Sequence, residues 1–161
     1  MSKLRRKELD AATEAPAHKQ VSFGALTGYL GYALRRAHMV AVAEFLQAFQ
    51  ELDLRPTQLA VLMIINENPG VRQTEVCEAL GIQKANFVPL LNELERRGLA
   101  LRKSVAGDRR SSALHLTSLG NVTVQRAHAI HDTLEERFSA RLGRRGRDQL
   151  LALLNKVIAS G

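Results

Sequence analysis

Residues 73–117 read QTEVCEALGIQKANFVPLLNELERRGLALRKSVAGDRRSSALHLT. Thr74 to Leu80 carries apolar residues at helical spacing and stops at Gly81, the residue type best able to take the left-handed conformation that ends a helix. A second periodic run from Lys84 to Arg97 sets Phe87, Leu90, Leu91 and Leu94 on one face and closes at Gly98. Two runs with leucines two apart follow, 99–104 and 112–116, with the turn signal Ala106-Gly107-Asp108 between them. Helix, tight turn, helix, hairpin is the order of a winged helix-turn-helix, in which the second helix enters the major groove.

Charge agrees with that assignment. Between Gln83 and Arg110 the bases Lys84, Arg96, Arg97, Arg102, Lys103, Arg109 and Arg110 outnumber the acids Glu93, Glu95 and Asp108. Phosphates dominate the affinity of proteins for DNA, so positive charge beside a base-reading helix is what such binding needs. Gln73 and Thr74 open the first helix, and Gln83, Lys84 and Asn86 stand at the entrance of the second. Asn and Gln can pair bidentately with adenine, and Lys can meet guanine or phosphate. Pro89 falls inside the second helix, where an interior proline costs about 3 kcal/mol. A helix that begins at Ala85 or Asn86 would bring Pro89 near its first turn, and a late start is therefore expected.

Two motifs resemble the MarR family of bacterial transcription regulators, and the resemblance covers roughly Leu30 to the C-terminus. Asp108-Arg109-Arg110, followed by Leu116-Thr117 and Ser118-Leu119-Gly120, is similar to the family's D-x-R, then L-T, then a nearby glycine. Leu94-Glu95-Arg96-Arg97-Gly98-Leu99 resembles its L-E-basic-basic-G-L run. The resemblance implies that Arg110 enters a minor groove with Asp108 orienting it. A narrow minor groove attracts arginine, and a carboxylate can hold a guanidinium in one orientation. The alternative is that Asp108 and Arg110 only shape the turn and Arg109 is a solvated charge. Arg102, Lys103, Asp108, Arg109 and Arg110 are the expected DNA contacts of the wing.

The 161 residues, 45% hydrophobic, suffice for one sizeable core, and a net charge of +7 favours an acidic partner such as nucleic acid. Residues 1–20 read as a flexible basic arm, 21–161 as a single domain, and 55–118 as the winged helix-turn-helix within it. From Ser22 to Leu52 the apolar and small residues run helically around much of the circumference, which predicts one long helix with a second packing surface. Pro56-Thr57 starts a central helix with Thr57 as its cap, and Asn68-Pro69-Gly70 ends it. Thr117 caps another long helix, Gly143-Arg144-Arg145-Gly146 breaks it, and a last helix from about Arg147 should be buried. The family resemblance places helices 22–52 and 118–160 in a dimer interface. A two-fold dimer would set its recognition helices about 34 Å apart on a pseudo-palindromic operator.

No apolar run approaches bilayer-spanning length, and with one cysteine and no apolar leader the chain is expected to be soluble and cytoplasmic. Cys77 reads as a small core residue rather than a redox switch. His128, His131 and Glu135 could share a helix face as metal ligands, but surface or interface histidines are favoured and no metal or other cofactor is expected. No phosphate loop, H-E-x-x-H or G-x-S-x-G signature is present, so no enzymatic function is expected.

Many MarR-like repressors release DNA when a small anionic aromatic compound binds between the dimerisation helices and the winged domain. Tyr29, Tyr32, Arg35, Arg36 and His38 cluster on the first helix, with donors for a carboxylate or phosphate and rings to stack on an aromatic. Arg35 and Arg36 would serve equally as interface ion-pair partners. Residues 84–91 also resemble MarR members that govern breakdown of plant phenolic acids. The expectation is a ligand-responsive repressor released by an aromatic acid or its CoA thioester. The alternatives are a metal- or redox-responsive regulator of the same fold and an architectural DNA binder without effector.

Overall fold

A computed structural model of the protein describes residues 21–105 and 108–160; the side chains of 105–111 lie outside that description, as do the predicted arm 1–20 and the turn at 106–107. The chain forms two compact units, one up to Ala37 and one from His38 onward. In order, a 3-10 turn (Gly24–Gly28) precedes α1 (Leu30–Ala48), and a second 3-10 turn (Gln50–Leu52) precedes α2 (Pro56–Glu67), α3 (Gln73–Leu80) and α4 (Lys84–Arg96). The hairpin β1 (Ala100–Val105) and β2 (Asp108–Leu116) leads into α5 (Ser118–Leu142) and α6 (Arg144–Ala159).

Helix, turn, helix and hairpin therefore stand where the sequence puts them, but four boundaries differ. The single helix expected over 22–52 is interrupted at both ends. Tyr29 is extended (φ −90°, ψ 128°) ahead of α1, and Asp53 turns left-handed (φ 46°) after the second 3-10 turn. Thr57 is not the cap of α2. Pro56 takes the first helical position, where a missing N–H costs nothing, and Arg55 precedes it with its backbone N–H donating to Gln58 Oε1 at 2.9 Å. α4 starts at Lys84 rather than at 85 or 86, which leaves Pro89 inside the helix. Gly143 alone separates α5 from α6, which begins at Arg144 and buries no residue within the chain.

The early start of α4 has a local cause. At the end of α3, Gly81 adopts φ +61°, and the Ile82 N–H reaches back to the Cys77 carbonyl at 2.9 Å. That closure satisfies α3 within two residues, so Gln83 can lie extended and its carbonyl can accept from Asn86 and Phe87 at once. The end of α4 repeats the device, with Leu99 N–H donating to the Leu94 carbonyl at 2.9 Å across Gly98.

One core serves the unit from His38 onward. Val61, Leu62, Val76, Phe87, Leu91, Leu94 and Leu114 are fully buried, with Phe49, Ile65 and Val124 nearly so. α2 is the central helix expected, packing against α3, α5 and β2. Phe45 and Phe49 stack 4.1 Å apart and carry the C-terminal half of α1 into the same core. No helix among the described residues is long and apolar enough to cross a membrane.

The strands pair antiparallel, with Ala100 opposite Leu116 and Arg102 opposite Leu114, and the register shifts after Ser104. The base of this hairpin is tied down. Thr117 accepts the Gly120 N–H on Oγ1 at 2.9 Å, capping α5 as expected, and its hydroxyl donates to the Gly98 carbonyl at 2.5 Å. The Thr117 N–H donates to the Leu99 carbonyl at 3.1 Å. Gly120 sits so close that a Cβ there would lie 2.0 Å from the Leu99 oxygen. α5 can begin against the end of α4 only because that Cβ is missing.

Candidate nucleic-acid interface

Gln83, Lys84 and Asn86 are exposed at the first turn of α4, while Phe87, Leu91 and Leu94 of the same helix are buried. The apolar stripe thus fixes which face of α4 is presented. Thr74 is exposed and Gln73 half-buried at the start of α3, and the N–H of Arg72, just ahead of that helix, donates to Glu75 Oε2 at 2.7 Å. An open cleft of about 900 Å³ runs between the start of α2 and the length of α4, with Arg55, Thr57, Gln83, Asn86, Pro89 and Arg97 among its lining. Polar donors and acceptors of the recognition helix therefore continue onto the adjacent end of α2.

Several of the cations counted in the sequence are engaged within the protein. Arg96 is a surface partner of Glu93 at 2.7 Å, and that guanidinium holds the Glu93 carboxyl below its ordinary range. Arg97 turns inward: Nη1 donates to the Asp53 carbonyl at 2.7 Å and Nη2 to the Leu52 carbonyl at 2.8 Å. Arg102, expected on DNA, is half-buried against α4, with Nη1 on Glu95 at 2.6 Å and Nη2 on Asn92 at 2.9 Å. Lys103, next along β1, is exposed on the opposite face. Asp108, Arg109 and Arg110 open β2, and their side chains lie outside the described residues.

The inward roles of Arg97 and Arg102 escaped the sequence. Arg97 is held by backbone carbonyls, which leave no side-chain signal. Arg102 had one, since strand alternation puts it on the same face as Ala100, which is buried.

Of the aromatic and basic cluster expected on the first helix, Tyr32 and Arg36 meet. Arg36 Nη1 donates to the Tyr32 hydroxyl at 3.1 Å, and its guanidinium lies 5.9 Å from the Tyr32 ring and 6.0 Å from that of Phe23, a residue not singled out for this role. Tyr29, Arg35 and His38 are exposed.

Cys77 is buried, and burial pushes its thiol above the ordinary value, which suits a core residue rather than a reactive one. His131 packs edge-on against Phe49 at 6.3 Å, and Glu135 is bound by Arg147 at 2.5 Å. Among the described residues, no three His, Cys, Asp or Glu side chains gather as metal ligands.

Comparison with known proteins supplies what geometry alone does not. A model of the MarR family matches residues 52–111, which span the end of the second 3-10 turn through the start of β2. A Thauera aromatica protein named as a regulator of the hcr operon is 30% identical over 135 residues, 83% of this chain and 81% of its own. The transcriptional repressor CouR bound to a 23-mer DNA duplex superposes with a TM-score of 0.83 and 41% identity, covering 86% of this chain and 99% of that one. CouR bound to p-coumaroyl-CoA gives 0.82 and 38%, covering 86% and 98%.

Proposed function

Because the chain belongs to the MarR family of transcription regulators, we propose that it is a ligand-released repressor that binds a pseudo-palindromic operator as a homodimer. One observation carries this: the recognition helix presents Gln83, Lys84 and Asn86 on a face whose backing is fully buried, in a fold shared at 41% identity with a repressor solved on DNA. Gln83, Lys84 and Asn86 read the major groove, Gln73 and Thr74 support them from α3, and Lys103, Arg109 and Arg110 meet the backbone and minor groove. α6 supplies the dimer contact, since Leu150, Leu151, Leu153, Val157 and Ile158 form an apolar stripe exposed within one protomer. A monomer at micromolar concentration in sedimentation would refute the dimer.

The inducer is an aromatic acid or its CoA thioester. The similarity to CouR in complex with p-coumaroyl-CoA supports this class, as does the cluster of Phe23, Tyr32 and Arg36, which brings two rings, tilted by 40°, and a guanidinium together. The test is a mobility-shift titration on DNA from beside the gene and on random DNA, repeated with phenolic acids and their CoA thioesters. Selective binding lost on adding one compound establishes the repressor and its inducer class. A true ligand at a hundred times its Kd also stabilises the protein by about 2.7 kcal/mol, so an unchanged Tm across the panel rules the class out. Within the interface, Arg110→Ala weakens binding to all sequences, whereas Asn86→Ala relaxes preference at one base pair by about 1–3 kcal/mol.

A further inference from the structure

Arg102 sits where a DNA-contacting cation of the wing would be expected, yet its side chain points into the protein. Across β1, Ala100 and Arg102 share the face that also carries Leu114 and Leu116 from β2. Ala100 and Leu114 are buried there, so Arg102 is the next inward position toward the tip. Its guanidinium meets α4 with two donors at once, Nη1 to Glu95 Oε2 at 2.6 Å and Nη2 to Asn92 Oδ1 at 2.9 Å. Glu95 uses its other oxygen on the same residue, accepting the Arg102 backbone N–H at 3.1 Å. The Glu95 and Arg102 side chains are only 27% and 28% exposed, so solvent screens the pair weakly. Three hydrogen bonds therefore join one residue of the wing to two residues of the recognition helix, spaced i and i+3 on one side of it.

We propose that Arg102, with Glu95 and Asn92, is a positioning clamp that fixes the wing relative to the recognition helix, and that Arg102 makes no phosphate contact of its own. The proposal rests on the DNA-binding function argued above. Its physical content is geometric. A hairpin joined to α4 only at its base can tilt, and its tip then misses the groove flanking the one the helix enters. A planar guanidinium holding two acceptors on successive turns of α4 removes that freedom.

Charge makes the clamp separable from a direct contact. Glu95→Gln raises the net charge by one close to the DNA, so an acid standing idle there would leave affinity unchanged or improved on removal. The clamp requires the opposite sign, because Gln presents an N–H₂ to one of the two Arg102 donors. Arg102→Lys keeps the charge that a phosphate contact needs and loses the two-pronged geometry. Operator affinity should fall about tenfold for each, the size of coupling typical within a hydrogen-bonded network.

The experiment is operator binding by wild type, E95Q, R102K and N92A, with hydroxyl-radical footprints and guanine methylation protection on the bound complexes. Weakened affinity, with protection lost in the flanking minor grooves and kept at major-groove guanines, supports the clamp. Wild-type affinity in E95Q, or full retention in R102K, overturns it, as does uniform loss of protection in every region. Should E95Q or R102K fail to fold by circular dichroism, N92A, which removes one exposed acceptor, decides by the same footprint. A wild-type protein without selective binding would overturn the DNA-binding function itself, an outcome distinct from wild-type binding with indifferent variants.

Discussion

Replacing Gly120 by Ala is expected to destabilise the protein, although alanine is the better helix former. The added Cβ would lie 2.0 Å from the Leu99 carbonyl oxygen, 3.0 Å from its carbon and 3.3 Å from Leu116 Cβ. An ordinary C···O approach is about 3.3 Å, so the start of α5 must retreat by roughly 1.3 Å. The obstacle is backbone and cannot swing aside. Retreat stretches the Gly120 N–H to Thr117 bond from 2.9 Å and the Thr117 N–H to Leu99 bond from 3.1 Å. Overpacking of this kind costs about 1–3 kcal/mol and loss of an N-cap about 1 kcal/mol. Higher helix propensity returns at most about 1 kcal/mol, and less in a first turn, so the net loss is about 2–3 kcal/mol. Urea unfolding followed by circular dichroism, at matched protein concentration because a dimer's stability depends on it, should show the midpoint lowered by about 1 M or more. A midpoint equal to or above wild type would mean that α5 does not depend on that close approach and that the wing base is not attached through Gly120.

Arg97→Ala should cost about 2 kcal/mol in the same assay, since it leaves the Leu52 and Asp53 carbonyls without their charged donor, and Arg97→Lys should recover only part. Cys77 should resist alkylation by iodoacetamide in the native protein at pH 8 and react fully in urea, because it is buried and its thiol is pushed up; native labelling at the rate of a free thiol refutes this. The Arg141 guanidinium bound to Glu44 holds that carboxyl below its ordinary range, so the pair's stabilisation is present above about pH 4.5 and is lost as pH falls through the depressed native value. Glu44→Gln should therefore lie below wild type at neutral pH and converge with it in acid, and parallel stability curves would exclude the linkage.

What the sequence made legible was whatever the backbone decides locally. Gly81 and Gly98 end helices because left-handed backbone favours glycine, and Thr117 caps α5 because its hydroxyl has a free N–H within reach. The start of α4 is not legible from Pro89, which by itself argues for a later start than Lys84. The closure of α3 onto Ile82 leaves Gln83 free to open the next helix at once, and packing of Phe87, Leu91 and Leu94 outweighs the bond that Pro89 cannot make. α6 reads as buried because its apolar stripe is real, but the helix buries no residue within the chain, and its cover is the proposed second protomer. Arg97 and Arg102 read as charge facing DNA because their acceptors lie on other elements, 44 and 45 residues away for Arg97.

These attachments bear on how a ligand can release DNA. The wing is joined to the recognition helix at its base, through Thr117, Gly98 and Gly120, and along β1, through Arg102, Glu95 and Asn92. Arg97 joins the end of that helix to the turn ahead of α2. A helix tied at these points moves with its hairpin as one body, and small internal adjustments between them would break several charged hydrogen bonds together. In the proposed homodimer, the degree of freedom left to an inducer is the spacing and tilt of one winged unit against the other rather than a change in the reading surface. A two-fold operator reads that spacing directly, because both recognition helices must meet major grooves one helical turn apart. A ligand that prefers a dimer with the wrong spacing then releases DNA by as much as its affinities for the two forms differ, with each reading head unchanged.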